Sequence, residues 1–205
     1  MKVYFRAILL LPFIMVVNFS KAQSNYERAL DFQIELDSSF ANLEESPLTE
    51  EDFKTFSGLE FFEIDTLFSI EALLTLTPED SVFEMATTTE RRPKYRRYGI
   101  ASFVIEKDTF SLNIYENIRL KTIPKYEDHL FLPFLDKTNG FESYGGGRYI
   151  DLKKPETGDV IVIDFNQCFN PYCAYNGKYS CPIVPIENSL EIEIRAGVKA
   201  PKSHH

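Results

Sequence analysis

The hydrophobic pattern changes period near Gly58. Before it, in residues 24–42 (SNYERALDFQIELDSSFAN), Tyr26, Leu30, Ile34 and Phe40 or Ala41 recur at about helical spacing. Ser24 and Glu27 have the form of a capping box, so a helix is predicted there. The breaker SPL at 46–48 ends it, and Thr49 can cap a short acidic turn, EEDFKTF. Past Gly58 the period is two. In FSIEALLTL, Ile70, Ala72, Leu74 and Leu76 share one face. SVFEMATT offers a second strand, and YGIASFVIEKDTFSLNIYE reads as a hairpin turning near Lys107 and Asp108. HLFLPF, GRYIDL, DVIVIDF and LEIEIRA complete a set of about eight short strands behind one helix. The expected fold is mainly β, an antiparallel barrel or sandwich with an N-terminal helix.

The first 22 residues stand apart from this pattern. Lys2 and Arg6 precede an apolar run, and Ser20-Lys21-Ala22 supplies small residues before a cut ahead of Gln23, the layout of a secretory leader. The run from 7 to 19 falls short of the roughly 20 apolar residues that span a bilayer, so no membrane span is expected once the leader is gone. An exported protein, periplasmic or secreted, follows. Residues 23–58 form a helical segment, 59–199 a β-rich body continuous with it, and 200–205 a tail. The formal net charge is −9 before the three basic residues of the leader are removed, which argues against general nucleic-acid binding. The basic run RRPKYRRY (91–98) reads as a solvated edge segment, with docking on an acidic surface as a lesser reading.

The three cysteines, Cys168, Cys173 and Cys181, lie in DFNQCFNPYCAYNGKYSCPIVPIEN (164–188). They lack the paired knuckles of a structural zinc site, and His129 is the only histidine outside the tail, so no metal is expected. In an oxidising compartment a Cys173–Cys181 disulfide is the natural pairing, leaving Cys168 as a buried inert thiol. Asn170-Pro171 and Cys181-Pro182 lock extended corners, so the stretch reads as a rigid clasp over one end of the sheet. Gly145, Gly146 and Gly147, followed by Arg148, are a candidate anion loop, with a tight loop feeding a strand as the plainer reading. Asp136 and the turn Asn139-Gly140 lack the spacing of an EF-hand. No cofactor fingerprint is present.

From "LFLPFLDKTNGFESYGGGRYIDL", "DFNQCFNPYCAYNGKYSCP", "PIEN" and "IRAG", with "RRYG" earlier, the chain resembles the family known as domain of unknown function 1684 (DUF1684). The likeness is densest from Leu130 to Gly197, and Cys168 stands where a small non-cysteine residue is usual in the family. The resemblance implies no reaction. It gives weight to Asp136, Tyr144, Arg148, Tyr149, Asp164, Asn166, Asn170, Tyr175, Glu187 and Asn188 as a group. Such polar side chains either satisfy one another internally or line a site. Tyr144, Arg148, Asp164, Asn166, Tyr175, Glu187 and Asn188 are the ligand-binding candidates. The leading expectation is a non-enzymatic module for a small polar or anionic ligand or an envelope component. Hydrolase chemistry on an Asp164 and Glu187 carboxylate pair is the alternative.

Overall fold

The computed structural model describes residues 10–202, with side chains from residue 22. The first nine residues of the expected leader, and the side chains of nearly all the rest of it, lie outside that description. Helix α1 (Leu10–Ala41) runs through the expected start at Ser24 without a break. Ser24 therefore caps nothing: its hydroxyl accepts from Arg28 at 3.2 Å, and Glu27 accepts from Gln23 at 2.9 Å.

The buried face of α1 is also not the apolar stripe. Asn25, Ala29, Gln33 and Phe40 are buried, while Tyr26, Leu30 and Ile34 are exposed. The cause lies in what the helix docks against. Gln33 Nε2 donates to the Asn166 carbonyl at 3.1 Å, and Asp37 Oδ1 accepts from the Leu59 amide at 2.6 Å. Orphaned backbone groups on the body thus set the rotation of the helix, because leaving them buried and unpaired costs more than exposing three apolar side chains singly. Helix α2 (Glu50–Thr55) forms as its sequence dictates: the Thr49 hydroxyl caps the Asp52 amide at 3.1 Å, with three acidic residues in the first turn.

Seven strands follow: β1 (Ser69–Leu76), β2 (Phe83–Glu84), β3 (Lys94–Ile105), β4 (Asp108–Asn117), β5 (His129–Phe134), β6 (Arg148–Lys153) and β7 (Val160–Asp164). Their pairings are antiparallel and give the order β6-β5-β4-β3-β1-β7, with β2 beside β3, in one sheet curled into a half-barrel. In β1, Ile70, Ala72 and Leu74 face the core as their alternation requires, but Leu76 is exposed. The β3–β4 hairpin turns on Glu106 and Lys107, one residue earlier than expected, since Ile105 pairs with Asp108 and Glu106 has φ 57°.

Phe103, Leu112, Leu130, Ile150 and Ile163 belong to the main core, while Phe131, Tyr115, Tyr149 and Val184 form a second apolar cluster. Leu130 and Phe131 are neighbours on β5 and so point to opposite faces of the sheet. Five of the six β5 residues are buried. Both faces are covered because the segment carrying Val184 crosses the face opposite the main core. Its Ile183 amide bonds the Ala86 carbonyl at 2.8 Å, and the Tyr149 hydroxyl donates to the Pro182 carbonyl.

Two expectations are corrected. Residues 190–196 (LEIEIRA) form no strand: Leu190 and Ile192 make single backbone contacts with Leu135 and Lys137, and the carbonyls of Ile194 and Ala196 turn to a buried side chain, described below. The basic run is not an edge either: residues 94–98 lie in β3, with β4 along one side and β2 paired at Lys94 and Tyr95 on the other. Its charges are spent inside the protein. Arg96 pairs with buried Glu116, Arg97 Nε lies 2.5 Å from Asp80, and Arg91 bonds the Ser180 hydroxyl at 3.0 Å. Lys121 and Lys154 also approach Glu116, at 3.4 and 3.9 Å.

Burial pushes the Glu116 carboxyl up, but the Arg96 hydrogen bond and the Lys121 charge outweigh it and hold the group below its ordinary 4.5. A carboxyl depressed in the folded state stabilises above its unfolded value and loses that contribution as pH falls through the folded one. Glu116→Gln should therefore melt lower at pH 7, and its Tm should converge on that of the wild type below pH 4. Parallel Tm curves from pH 7 to pH 3 would contradict this coupling.

Candidate functional site

Arg148 opens β6 and is wholly buried. Its Nη2 lies 2.7 Å from Asp136 Oδ2 and 2.7 Å from the Ile194 carbonyl, and its Nη1 donates to the carbonyls of Ala196 at 2.5 Å and Val198 at 3.3 Å. The guanidinium sits between the rings of Phe62 and Phe134, at 5.8 and 5.3 Å from their centroids. Asp136 is equally enclosed: its Oδ1 accepts from the Thr138 amide at 2.8 Å, the Thr138 hydroxyl at 2.6 Å and the Ile194 amide at 3.2 Å. A side chain with five fixed donors is suited to an extended segment that has no strand beside it. Arg148 thus binds the returning chain, and no ligand reaches it.

The other polar candidates fall into separate hydrogen-bonded groups, with Asn170 Oδ1 left without a partner among the described residues. Asp164 accepts from the Asn166 amide at 3.1 Å, Asn166 Nδ2 at 2.9 Å and Gln167 Nε2 at 2.9 Å. Asn166 in turn clamps Asp65 through both its amide oxygen and nitrogen, at 3.0 and 2.8 Å. Asn170 donates to the Tyr175 hydroxyl at 3.0 Å and the Lys199 carbonyl at 2.8 Å, while the Tyr175 ring meets Phe40 edge-on at 4.8 Å.

Asn188 stands in for a missing strand contact. Pro133 has no N–H, and the β4–β5 ladder is reduced to the single pair Tyr115 and Phe131. Asn188 fills the gap, accepting from the Asn113 amide at 2.9 Å and donating to the carbonyls of Asn113 at 2.9 Å and Pro133 at 2.7 Å.

The candidates therefore do not converge. Asp164 and Glu187 line no common cavity: Asp164 is buried at the end of β7, whereas Glu187 is exposed beside Arg97 and Tyr115 in an open concavity of about 340 Å³. The glycine loop is a tight turn. The Gly147 amide is taken by the Tyr144 carbonyl at 3.1 Å, and Gly147 has φ 88° with the Phe134 carbonyl 2.6 Å from where a Cβ would lie. Gly145 and Gly146 are exposed.

One concavity does hold a candidate. A cleft of about 250 Å³ opens between α2, residues 56–60 and residues 198–202. Leu48, Phe56, Leu59 and Val198 contribute apolar wall, Tyr175 lies among the lining residues, and the charged lining residues are Asp52, Glu60, Lys199 and Lys202. Lys202 pairs with Glu60 at 3.1 Å. Lys199 has its ammonium 5.2 Å from the Phe62 ring and no ion pair among the described residues.

The family model of a protein of unknown function (DUF1684) matches residues 54–199, spanning every strand and both walls of this cleft except α2 and the last three residues. The chain belongs to the DUF1684 family. Among solved structures, an uncharacterized protein of Haloarcula marismortui, known by solution NMR, is similar at 30% identity over 90% of this chain and 99% of that one, with a TM-score of 0.69. No curated protein matches.

The DUF1684 match also contains all three cysteines. Cys168 is fully buried, its thiol pushed up to about 11 by burial, and its sulfur lies 3.4 Å from the Ala196 carbonyl. Cys173 and Cys181 are free thiols in contact: the Cys173 amide donates to Cys181 Sγ at 3.2 Å. Several functional positions escaped the sequence reading. Phe56, Lys199 and Lys202 of the cleft, and Thr88 beside the thiols, come from segments remote in sequence whose meeting no local pattern announces.

Proposed function

We propose that this DUF1684 protein is an exported module, periplasmic or secreted, that binds a small ligand without transforming it. The ligand would carry an apolar body and one anionic group, as a free compound or an envelope fragment. The leader-like N-terminus supports export. The observation that supports binding is the half-enclosed cleft, where apolar wall and Tyr175 are joined by Lys199, a residue without an ion pair among the described residues. About 250 Å³ is at the small end of ligand sites, so the occupant is smaller than a typical drug. The carboxylate-pair alternative draws no support from the separate positions of Asp164 and Glu187. Among the described residues no helix is long and apolar enough to cross a membrane.

The test is a thermal-shift screen of small carboxylates and phosphates with apolar bodies, on protein recovered from the envelope or medium of producing cells. Its N-terminus is expected at Gln23. At a hundredfold excess over Kd a true ligand raises Tm by roughly 5–10 °C for a domain of this size. Lys199→Ala should remove most of that rise, while Arg97→Ala should leave it intact. A panel yielding no rise that depends on Lys199 would dispose of the cleft.

A further inference from the structure

The two clasp thiols are held differently. Cys181 is buried and anchored on both sides: its amide bonds the Thr88 hydroxyl at 3.2 Å, its carbonyl accepts from the Thr88 amide at 2.9 Å, and its sulfur accepts from the Cys173 amide at 3.2 Å. Cys173 sits at the centre of the 3-10 turn Tyr172–Ala174 and is half-exposed. Its sulfur lies beside that of Cys181, with Thr88 and Tyr144 as polar neighbours. Of the two sulfurs it is therefore the one that an outside reactant reaches first. Tyr149 and Arg91 are the other titratable or charged groups facing the pair, Tyr149 near both sulfurs and Arg91 near Cys181.

We propose that Cys173 and Cys181 form a thiol–disulfide exchange site, with Cys173 as the attacking sulfur, Cys181 as the resolving one, and a low-molecular-weight disulfide as the reactant. The Cys173 thiolate attacks one sulfur of that disulfide, its S–S bond breaks, and one thiolate leaves. A mixed disulfide on Cys173 remains. Cys181 then gives up its proton to the departed thiolate and attacks the Cys173 sulfur, expelling the second thiolate, which takes a proton from solvent. The external disulfide is reduced to two thiols while the protein pair is oxidised to one disulfide, so electrons and atoms balance. The reverse sequence, driven by excess thiol, reopens the pair.

The titration behaviour agrees with this division of labour. The Cys181 hydrogen bond, followed by those of Thr88 and Tyr144, outweighs burial and lowers Cys173 to about 7, while the same donation and burial push Cys181 up. A lowered thiol holds more thiolate near neutrality than an ordinary cysteine, a gain partly offset by the lower nucleophilicity of a weaker base. This site lies apart from the ligand cleft, and its test does not depend on a ligand being found.

The experiment uses the reduced full chain and oxidised glutathione, followed by intact mass and peptide mapping. The wild type should end with an internal disulfide, two glutathiones released and no lasting adduct. Cys181→Ser should accumulate a single glutathione on Cys173. Tyr144→Phe should slow the reaction roughly two- to five-fold at pH 7 and recover by pH 9, because removing a donor moves the Cys173 midpoint upward. As a check needing no variant, substoichiometric iodoacetamide at pH 7 should label Cys173 ahead of Cys181 and Cys168 in the wild type. First labelling of either other cysteine, a Cys181→Ser protein without an adduct, or a wild-type disulfide that excess glutathione cannot reopen would each overturn the proposal.

Discussion

Arg148→Ala is expected to cost at least 3–5 kcal/mol, a large part of the roughly 5–15 kcal/mol that holds a domain of this kind together. The loss is large because three separate debts fall due at once. Asp136 becomes a buried carboxylate without its cation, the carbonyls of Ile194, Ala196 and Val198 lose their donor, and the space between Phe62 and Phe134 empties. At about 2–4 °C per kcal/mol for this size, Tm should fall by roughly 6–20 °C. A companion variant separates the causes. Asp136→Leu with Arg148→Met removes both charges and restores apolar volume, which for an isolated buried pair is often neutral. Here it should recover only part of the loss, since the Ile194 and Val198 carbonyls still lack the arginine and Ala196 keeps only the weak Cys168 thiol. Urea denaturation with an unchanged slope is the measurement. A single alanine variant within 1 kcal/mol of wild type would show that residues 190–198 are held by something else.

Asn188→Ala is the second large effect, about 2–4 kcal/mol. It strands the Asn113 amide and carbonyl and the Pro133 carbonyl in a part of the sheet where β4 and β5 share only one ladder pair. Asn188→Asp should be worse than alanine despite its closer shape. It keeps an acceptor for the Asn113 amide but places oxygen opposite two carbonyls and buries a charge. Amide exchange gives a local readout: the Asn113 amide should lose protection in the alanine variant more than amides of the β3–β4 hairpin. Alanine and aspartate variants of equal stability would argue that Asn188 only fills space.

Both predictions concern residues first met as ligand candidates. Polar residue types and the family resemblance singled out Arg148, Asp164, Asn166, Asn170, Tyr175 and Asn188, and all six are held in tertiary contacts. The choice between internal network and open site was not legible, because an arginine facing a ligand and an arginine facing three carbonyls look alike in one dimension. The strand LEIEIRA failed for the same reason. Its alternation is sound, but beyond two backbone contacts with Leu135 and Lys137 its carbonyls turn to the side chain of Arg148. Helix α1 misled through its apolar stripe, since Gln33 and Asp37 found orphaned backbone groups that fixed its rotation. The hairpin, the Thr49 cap and the inward face of β1 as far as Leu74 were legible, because each rests on contacts within a few residues or on strict alternation against one core.

Local pattern alone determined that the body is antiparallel β with a helix ahead of it and that Thr49 starts α2. Those features depend on period, capping and burial, which short segments carry in themselves. Tertiary structure decided which polar residues are mortar and which face solvent, that Lys199, Phe56 and Tyr175 line one cleft, and which of the two neighbouring thiols is buried. Each of these depends on residues far apart in the chain arriving within a few ångströms, and the fold of the sheet alone sets that distance.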